Sequence, residues 1–506
     1  MASGAARSAA TTSGLLEQAA SRHPNRIALV HGDEEVSYET LLERVTAAAG
    51  ALAELGVAPG DRVALVLDSA PGFAAAFFAA GYAGAVAVPL DPVLRGPELE
   101  YYFRESNVRA AIVEPRLVSV AGRAARGATA PIDVAVLEGE HRGAKALDSL
   151  NGGAPGRVDA EPGEDALYQY SSGSTGRAKR VPRTHRQLLD EVAAFADGIS
   201  LDPDDSILGI VPLHHTYGLG CCLLAAVHSG ATLVLPEDRQ PFMLRRTRTL
   251  ELIGRAGVTV VPGVPMQFRL LAGARRSDPI RDVRLFLSAA APLPRATFDA
   301  FRETFGQPLR QLYGCTETGA LTVNLDPDPA ATVGSVGRPL EGVRIAIRDG
   351  SGNDVGDGRI GDVEVSSVGM TRGYVEDAVG DRASFHDGWF STGDRGRIDE
   401  EGRLYLTGRS KLLIDVAGRK VDPIEVEDVL ATHPRVREVV VVGTATGIEG
   451  EERIKAVVVR DGRCEERDLL RFCAERLAAY KVPELIEFRD EIPRSPVGKI
   501  QRSQLV

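Results

Sequence analysis

Short apolar segments alternate with helix-like segments along the chain up to about residue 330. The segments with the length and composition of buried strands are RVALVLDS, GAVAVPL, RAAIVEP, DVAVLE, SILGIVPL, ATLVLPE, VTVVPG and RLFLSAAAPL. Alternation of strands with helices is typical of α/β folds whose sheets are largely parallel. The pattern therefore predicts a large N-terminal domain built of layered α/β subdomains.

The pattern changes beyond that point. Glycine and aspartate become frequent in IRDGSGNDVGDGRIGDVEV, which predicts hairpin turns in a β-rich section. Near the C-terminus, DPIEVEDVLATHP and EERDLLRFCAERLAAYKV have helical patterns, and VREVVVVGTA and ERIKAVVVR have strand patterns. We therefore predict a large domain over residues 1–409 and a small α+β domain over residues 410–506.

Composition excludes some classes of protein. The net charge of −11 disfavours a nucleic-acid-binding protein, which normally carries a basic face. The five cysteines form no C-x-x-C pair, and the N-terminus lacks the apolar core of a secretory signal, so we expect a reduced, cytoplasmic chain.

The uncharged segment 71–90 is long enough to cross a bilayer, but glycine interrupts its alanine-rich pattern. We expect a buried helix and strand there, not a membrane span.

The segment YQYSSGSTGRAKRVPRTH, residues 168–185, concentrates glycines, hydroxyls and cations in one loop. Bare backbone N–H groups at glycines can approach the oxygens of an anion closely, which makes the loop a candidate phosphate site. The candidate ligands are Ser171, Ser172, Gly173, Ser174, Thr175, Gly176 and Lys179. The segment is not a Walker A loop, because Ala178 and Arg180 replace the second glycine and the Ser/Thr of that motif. A flexible polar surface loop is the alternative, and the loop alone does not decide between them.

Three further segments carry a family resemblance. They are LYGCTETG (312–319), WFSTGDRGRIDEEGRLYLTGRSKLLI (389–414) and PRSPVGKIQRSQL at the C-terminus. Together with SSGSTGRAK, in this order and spacing, they resemble the adenylate-forming superfamily of acyl-CoA and aryl-CoA ligases, carrier-protein loading domains and luciferases. The resemblance runs from YETLLERV to Leu505. It implies an enzyme that uses ATP and Mg²⁺ to convert a carboxylic acid to an acyl-AMP, from which a thiol then displaces AMP.

The resemblance assigns roles to individual residues. The glycine-rich loop would hold the β- and γ-phosphates, Glu317 and Thr175 would hold Mg²⁺, and Asp394 would bind the ribose. The remaining nucleotide contacts would come from Ala290, Tyr313, Gly314, Thr316, Arg409 and Lys499. Tyr313 would stack on adenine, and Thr316 would donate to the α-phosphate. The catalytic residues implied are Lys499, Thr316, Glu317 and His215.

Three residues of the C-terminal region are implied in domain rotation. Lys499 would bridge the attacking carboxylate and the α-phosphate during adenylation, and must then withdraw so that a thiol can enter. Lys411 matches the hinge of the family, where a backbone dihedral change rotates the small domain. Gly418 would then lie near the thiol channel.

The acid pocket implied by the resemblance is lined by His215, Thr216, Gly220, Ala289, Ala290, Gly314 and Cys315. Amino-acid-activating relatives have an aspartate at the position of His215, so a free α-amino acid is disfavoured. Many relatives have a glycine near the position of Ala289. The methyl group of the alanine would shorten the pocket, which favours an aryl or a short-to-medium acyl acid.

The adjacent His214 and His215 are also similar to the H-H-x-x-x-D motif of condensation enzymes, but Leu219 occupies the acidic position of that motif. The two histidines are only a weak indication of a zinc site, because they lack partner ligands at a useful spacing.

The acceptor thiol stays open between coenzyme A and the phosphopantetheine of a separate carrier protein. The sequence ends just after the Lys499 motif, so we expect no fused carrier domain. We expect a monomer or homodimer without a nucleic-acid partner. The alternatives are an adenylate-only activator, a luciferase-like oxygenase, a stand-alone amino-acid-type adenylation enzyme, and a nucleotide sensor with a dead site. The joint presence of Lys499, Glu317 and Asp394 argues against the sensor.

Overall fold

The computed structural model of the chain divides into two compact units. Unit 1 comprises residues 1–344 and 366–388, and unit 2 comprises residues 345–365 and 389–506. The structure describes residues 9–128, 130–150, 158–171, 179–237, 240–274, 280, 282–356, 358–375, 384–409, 414–416, 419–421, 423–445, 452–477, 479–495 and 500–506. The domain boundary near residue 410 stays a prediction.

The strands of the first two thirds of the chain are short, and most are buried. They are β1 (Ile27–His31), β2 (Glu34–Ser37), β3 (Arg62–Val66), β4 (Val86–Pro89), β5 (Val108–Val113), β6 (Asp133–Val136), β7 (Lys145–Ala146), β8 (Asp165–Ser171), β9 (Lys179–Thr184), β10 (Ser206–Leu208), β11 (Thr232–Leu235), β12 (Val260–Gly263), β13 (Leu285–Ser288), β14 (Leu309–Cys315), β15 (Gly319–Val323) and β16 (Ser335–Pro339). Each of the eight strand-like segments of the sequence overlaps one of these strands, which confirms the predicted α/β alternation.

Helices alternate with these strands. They are α1 (Thr12–Arg22), α2 (Tyr38–Glu54), α3 (Pro71–Tyr82), α4 (Gly96–Glu105), α5 (Val118–Arg126), α6 (His185–Gly198), α7 (Thr216–Gly218), α8 (Ala225–Ser229), α9 (Phe242–Arg255), α10 (Pro265–Ala272) and α11 (Arg295–Phe305). The largest hydrophobic cluster joins α1, α2, α3, α6 and α8 to β3 and β11, with Leu16, Leu41, Phe77, Val192 and Leu233 among its members. The core of unit 1 therefore lies between helices and sheets, as in other layered α/β folds.

Two sheets organise unit 1. The first has the order β7–β6–β5–β3–β4–β8–β9, with parallel neighbours except for the antiparallel pair β8–β9. The second includes the run β16–β15–β14–β13–β12–β10–β11–β1–β2, whose strands from β14 to β1 are parallel. Parallel strands need crossover connections, and helices supply most of them. The predicted, largely parallel sheets are thus confirmed.

The apolar segment 71–90 forms helix α3 and strand β4. Pro71 occupies the first turn of α3, where its missing N–H costs no hydrogen bond. Ten of the twelve residues of α3 and all four of β4 are buried. Among the described residues, no helix is long and apolar enough to cross a membrane. The expected buried helix and strand are confirmed.

The later strands and helices are β17 (Val343–Arg348), β18 (Gly361–Ser367), β19 (Phe385–His386), β20 (Trp389–Ile398), β21 (Leu404–Arg409), β22 (Ile414–Val416), β23 (Arg419–Val421), α12 (Pro423–Ala431), β24 (Val436–Ala445), β25 (Glu452–Arg460), α13 (Glu466–Ala474) and β26 (Leu485–Phe488). Strands β17, β18, β20 and β21, most of whose residues belong to unit 2, are successive neighbours in one sheet, and β24, β25 and β26 of unit 2 form another. The hydrophobic core of this part of unit 2 includes Val426, Leu430, Val441, Ile454 and Leu469. Strands β24 and β25 coincide with the two segments predicted from the sequence.

Candidate active site

The glycine-rich segment connects two paired strands of unit 1. The antiparallel register of β8 and β9 places Ser171 opposite Lys179, so residues 172–178 join the two ends of a hairpin. The loop residues Ser172, Gly173, Ser174, Thr175 and Gly176 lie outside the described residues. Strand β9 follows the loop, and α6 begins at His185, where the sequence has a helical pattern. An anion held by the loop would therefore depend on the loop and Lys179, not on the start of α6.

The turn between β14 and β15 carries the CTETG residues. A Cβ at Gly314 would lie 2.2 Å from the carbonyl oxygen of Gly319, so only glycine allows this close approach of the two strands. Gly319 has a φ of +73°, which also favours glycine. Between them, Glu317 is only 7% exposed. The hairpin therefore holds a carboxylate in a largely buried position.

Tyr374 links this turn to the glycine-rich segment. Its hydroxyl donates a hydrogen bond of 3.0 Å to Oε1 of Glu317. The ammonium Nζ of Lys179 lies 4.3 Å from the centroid of the Tyr374 ring. Three segments far apart in the sequence therefore meet in unit 1, and two of the three side chains are predicted ligands of the phosphates and the metal.

The protonation state of Tyr374 suits its role as a donor. Burial and the negative charge of Glu317 raise the pKa of Tyr374 well above its usual value, because both disfavour the phenolate. The hydroxyl therefore stays protonated near neutral pH. A neutral phenol beside a carboxylate is the donor of the hydrogen bond, and the carboxylate oxygen is the acceptor.

The oxygen ligands present fit a magnesium ion. Mg²⁺ prefers hard oxygen ligands and is usually bound by one or two carboxylates together with substrate phosphates and water. Glu317 supplies one largely buried carboxylate, and the described residues hold no cluster of three or more His, Cys, Asp or Glu side chains. The chemistry of this donor set suits Mg²⁺ carried in with a nucleotide better than a metal held by protein ligands alone.

A buried ion pair supports the same turn. Nη2 of Arg183 lies 2.6 Å from Oε2 of Glu191, and the two side chains are 0% and 4% exposed. Nη1 of Arg183 donates to the carbonyl of Thr316 at 3.3 Å, and Oε1 of Glu191 accepts from the backbone N–H of Ala320 at 3.0 Å. The pair therefore contacts both sides of the turn that presents Glu317.

Three glycines make room for this ion pair. A Cβ at Gly319 would lie 1.8 Å from the carboxyl carbon of Glu191, and one at Gly369 would lie 2.8 Å from its Cβ. A Cβ at Gly220, a predicted pocket residue, would lie 3.1 Å from Oε1 of Glu191. Three separate segments thus pack against one buried carboxylate.

The sequence analysis missed Arg183, Glu191 and Tyr374. A signal existed for Glu191, since it falls between Leu188 and Val192 in the buried stripe of α6. A charged residue at such a position needs a buried partner, because an unpaired charge is costly to bury. No comparable pattern marks Tyr374, whose partner Glu317 is 57 residues away in the sequence.

The predicted acid-pocket loop is tied to strand β8. His215 caps the short helix α7, with its Nδ1 accepting from the N–H of Tyr217 at 3.3 Å. The hydroxyl of Thr216 donates to Oε1 of Gln169 at 2.8 Å. The amide of Gln169 donates to the carbonyl of His214 at 3.4 Å. Strand β8 therefore carries Gln169 toward the pocket loop and Ser171 toward the glycine-rich loop.

His214 pairs with an acidic residue. Its Nε2 lies 3.6 Å from Oδ2 of Asp91. Burial disfavours the charged form of Asp91, but the interaction with His214 outweighs it and holds the pKa of Asp91 below its ordinary value. This contact gives the imidazole of His214 an acidic neighbour.

The alanine segment after β13 has an unusual backbone. Ala289 is buried, whereas the exposed Ala290 has a φ of +67°, in the left-handed region that disfavours residues with a Cβ. Strained positions of this kind persist where the surrounding structure requires them, and they cluster at functional sites. Ala290 therefore keeps its place among the candidate residues.

Two predicted nucleotide ligands lie on neighbouring strands of unit 2. The antiparallel register of β20 and β21 places Asp394 opposite Arg409. Asp394 is 5% exposed, and its backbone N–H donates to the hydroxyl of Thr392 at 3.0 Å. Lys411, Gly418 and Lys499, which the sequence predicts as the hinge, thiol-channel and catalytic residues, lie outside the described residues.

Comparisons with known proteins show the family to which the chain belongs. The model of the AMP-binding enzyme family matches residues 16–375, and the model of the AMP-binding enzyme C-terminal domain matches residues 425–499. An oxalate–CoA ligase of Arabidopsis thaliana is 32% identical over 97% of this chain and 97% of that protein. A feruloyl-CoA synthase of an Amycolatopsis species is 31% identical over 95% of this chain and 96% of that protein.

A solved structure extends the likeness to three dimensions. ATP-bound MatB from Rhodopseudomonas palustris superposes with a TM-score of 0.88 at 28% identity, covering 98% of each chain. The predicted fold, a large N-terminal part with layered sheets and a smaller C-terminal α+β part, is shared with that protein. The chain belongs to the AMP-binding enzyme family of the adenylate-forming superfamily, and it is an ATP-dependent, AMP-forming acid–thiol ligase.

Proposed function

We propose that this ligase activates an aryl or short-to-medium-chain carboxylic acid as its acyl-AMP and transfers the acyl group to the thiol of coenzyme A. ATP, Mg²⁺ and coenzyme A are the cofactors of the family to which it belongs. The relatives named above act on acids as different as oxalate and ferulate, so the family does not decide the acid.

The contacts among Lys179, Tyr374 and Glu317 are the observation that carries the proposal. A cation at the end of the glycine-rich hairpin and a largely buried carboxylate share one tyrosine. Adenylation requires both the cation and the carboxylate. The negatively charged triphosphate is stabilised by cations, and Mg²⁺ binds to oxygen ligands such as a carboxylate. A merely structural surface loop would not require this convergence.

In the first half-reaction, the loop from Ser171 to Lys179 binds the β- and γ-phosphates. Thr316 donates to the α-phosphate, and Glu317 with Thr175 would hold Mg²⁺. When bound, Mg²⁺ would supply positive charge beside the phosphate oxygens. Lys499 steadies the attacking carboxylate and the α-phosphate, and pyrophosphate leaves.

Other residues orient the rest of the nucleotide. Tyr313 packs on the adenine, and the buried Asp394 accepts hydrogen bonds from the ribose hydroxyls. Arg409, which lies opposite Asp394 on the neighbouring strand, provides a second contact to the nucleotide. Gly314 and Ala290 let the backbone approach the nucleotide. These assignments rest on the matching motifs of the family.

The acid side chain is bound by the loop that contains His215 and Thr216, with Gly220, Ala289 and Cys315. Because the hydroxyl of Thr216 is donated to Gln169, its oxygen faces a substrate as an acceptor only. His215 replaces an aspartate that would pair with an α-amine, which disfavours an amino acid. The alanine side chains shorten the pocket, which favours an aryl or short acyl group.

In the second half-reaction, a rotation about Lys411 withdraws Lys499 and brings Gly418 to the thiol channel. The thiolate attacks the acyl carbonyl, the C–S bond forms, and AMP leaves. We propose coenzyme A as the acceptor, with the phosphopantetheine of a separate carrier protein as the second candidate. We further propose that the enzyme acts in the cytoplasm as a monomer or a homodimer.

The test is ATP–pyrophosphate exchange with a panel of aromatic and aliphatic acids, followed by coenzyme A-dependent release of AMP. We expect exchange with a subset of aryl or short acids, and thioester formation with the same subset. Exchange without thioester would favour an adenylate-only activator. The absence of exchange with every acid would contradict the proposal and favour a nucleotide sensor. The Glu317→Gln variant should lose exchange and serves as the negative control.

A further inference from the structure

Tyr374 contacts two proposed ligands of the triphosphate and its metal at once. We propose that Tyr374 is a positioning residue that couples the phosphate-binding lysine Lys179 to the metal-binding carboxylate of Glu317. The inference deepens the proposed function and rests on its assignments of Lys179 and Glu317. Neither the sequence motifs nor the comparisons assign a role to this tyrosine.

The hydroxyl end acts on the carboxylate. The hydroxyl of Tyr374 donates a hydrogen bond of 3.0 Å to Oε1 of Glu317, which restricts rotation of the carboxylate about the Cγ–Cδ bond. Fixing that rotation also fixes the direction of the second oxygen, Oε2. Groups that hydrogen-bond a metal ligand in this way orient it for the metal and tune the affinity of the site.

The ring end acts on the lysine. The ammonium of Lys179 lies 4.3 Å above the face of the Tyr374 ring, within the range of a cation–π interaction. A lysine side chain otherwise samples many rotamers, so the ring restricts where its charge lies. One aromatic side chain thereby orients a cation and an anion that must act on the same triphosphate.

The backbone around Tyr374 is fixed to both partners. The N–H of Thr371 donates to the carbonyl of Glu317 at 2.8 Å, and the N–H of Val375 donates to the carbonyl of Arg180 at 3.1 Å. The segment 371–375 is therefore held against the β14–β15 turn at one end and against β9 at the other. Tyr374 therefore lies between two backbone hydrogen bonds, one to Glu317 and one to the neighbour of Lys179.

The two ends of the side chain can be separated by substitution. Tyr374→Phe removes the hydroxyl and keeps the ring beside Lys179. Tyr374→Leu removes both. Tyr82→Phe is a matched control, because the hydroxyl of the half-buried Tyr82 donates to Oε1 of Glu17 at 2.8 Å in another part of unit 1.

The experiment measures binding of α,β-methylene ATP by calorimetry to the full-length protein, with EDTA and with saturating Mg²⁺. The Kd in EDTA divided by the Kd with Mg²⁺ measures the coupling between metal and nucleotide. We expect Tyr374→Phe to lower this ratio about tenfold and to leave the Kd in EDTA unchanged. Tyr374→Leu should lower the ratio and also weaken binding in EDTA, because Lys179 loses its ring. Tyr82→Phe should match the unmodified protein.

The outcomes distinguish this inference from the proposed function. If Tyr374→Phe and Tyr82→Phe have equal ratios while Glu317→Gln lowers the ratio, the coupling role of Tyr374 is wrong and the metal assignment stands. If Glu317→Gln leaves the ratio unchanged, the metal assignment of the proposed function is wrong. A fall in the thermal midpoint of Tyr374→Phe with an unchanged ratio would show a structural role only, and would also overturn the inference.

Discussion

The guanidinium of Arg183 and the carboxylate of Glu191 meet at 2.6 Å in a region of unit 1 from which solvent is excluded. Arg183 also bonds to the carbonyl of Thr316, and Glu191 bonds to the N–H of Ala320. Each charge has further polar contacts besides its partner, which is the condition under which burying an ion pair is tolerated. The pair stabilises the turn that presents Glu317.

Replacing Glu191 with leucine should destabilise the fold strongly. The substitution leaves the guanidinium of Arg183 buried without its counter-charge, which costs about 3–5 kcal/mol in comparable cases. Denaturant unfolding monitored by circular dichroism measures the change. The exposed pair of Arg44 and Glu34 provides the control, since Glu34→Gln should cost no more than about 1 kcal/mol. A loss as small as the control's would contradict the role of Glu191.

Stability should fall in mild acid because of His185. Its Nδ1 accepts from the backbone N–H of Thr12, and burial lowers the pKa of His185 from 6.5 to about 4. The folded protein thus holds neutral histidine, whereas the unfolded chain takes up a proton below pH 6.5. The stability from this group is complete above pH 6.5 and falls by roughly 1.4 kcal/mol per pH unit toward pH 4.

The measurement is the free energy of unfolding between pH 4 and pH 7 for the unmodified protein and for His185→Asn. Asparagine can still accept from Thr12 and does not titrate in this range. The variant should therefore show a shallower dependence on pH, with the difference confined to the range between the two pKa values. Equal slopes for the two proteins would show that His185 is not the titrating group.

Lys499→Ala should separate the two half-reactions. We expect adenylation, measured by pyrophosphate exchange, to fall by roughly a hundredfold or more, because the substitution removes a cation from the developing charge. Thioester formation from a supplied acyl-adenylate should be spared. Lys145→Ala, at a half-exposed lysine that pairs with Asp133, is the control and should leave both steps unchanged. An equal loss in the two steps would show that Lys499 has another role.

Gly418→Phe should have the opposite effect. A bulky side chain in the thiol channel would slow thioester formation by about tenfold or more and have a smaller effect on adenylation. Gly254→Phe is the control, since a Cβ at the exposed Gly254 of α9 meets no atom within 4 Å. A larger loss in adenylation than in thioester formation would remove Gly418 from the channel.

The sequence was sufficient where the determining interactions are local. Strands β24 and β25 matched their predicted segments, and α3 was buried as its uncharged alanine- and phenylalanine-rich pattern indicated. The interpretation was incomplete at β9, where the segment KRVPRT was read as part of a loop leading into a helix. Its strand conformation depends on pairing with β8, and pairing is not a property of the segment alone.

The sequence by itself determined the family, the reaction class and the α/β architecture, because motif order and hydrophobic period can be followed along the chain without knowing which segments pack together. Only the tertiary structure decided that Arg183, 133 residues before Thr316, supports the turn of Glu317 together with Glu191, and that Tyr374 joins Glu317 to Lys179. Such contacts depend on how distant segments pack, and buried charges and hydroxyls take whichever partner the packing brings within hydrogen-bond distance.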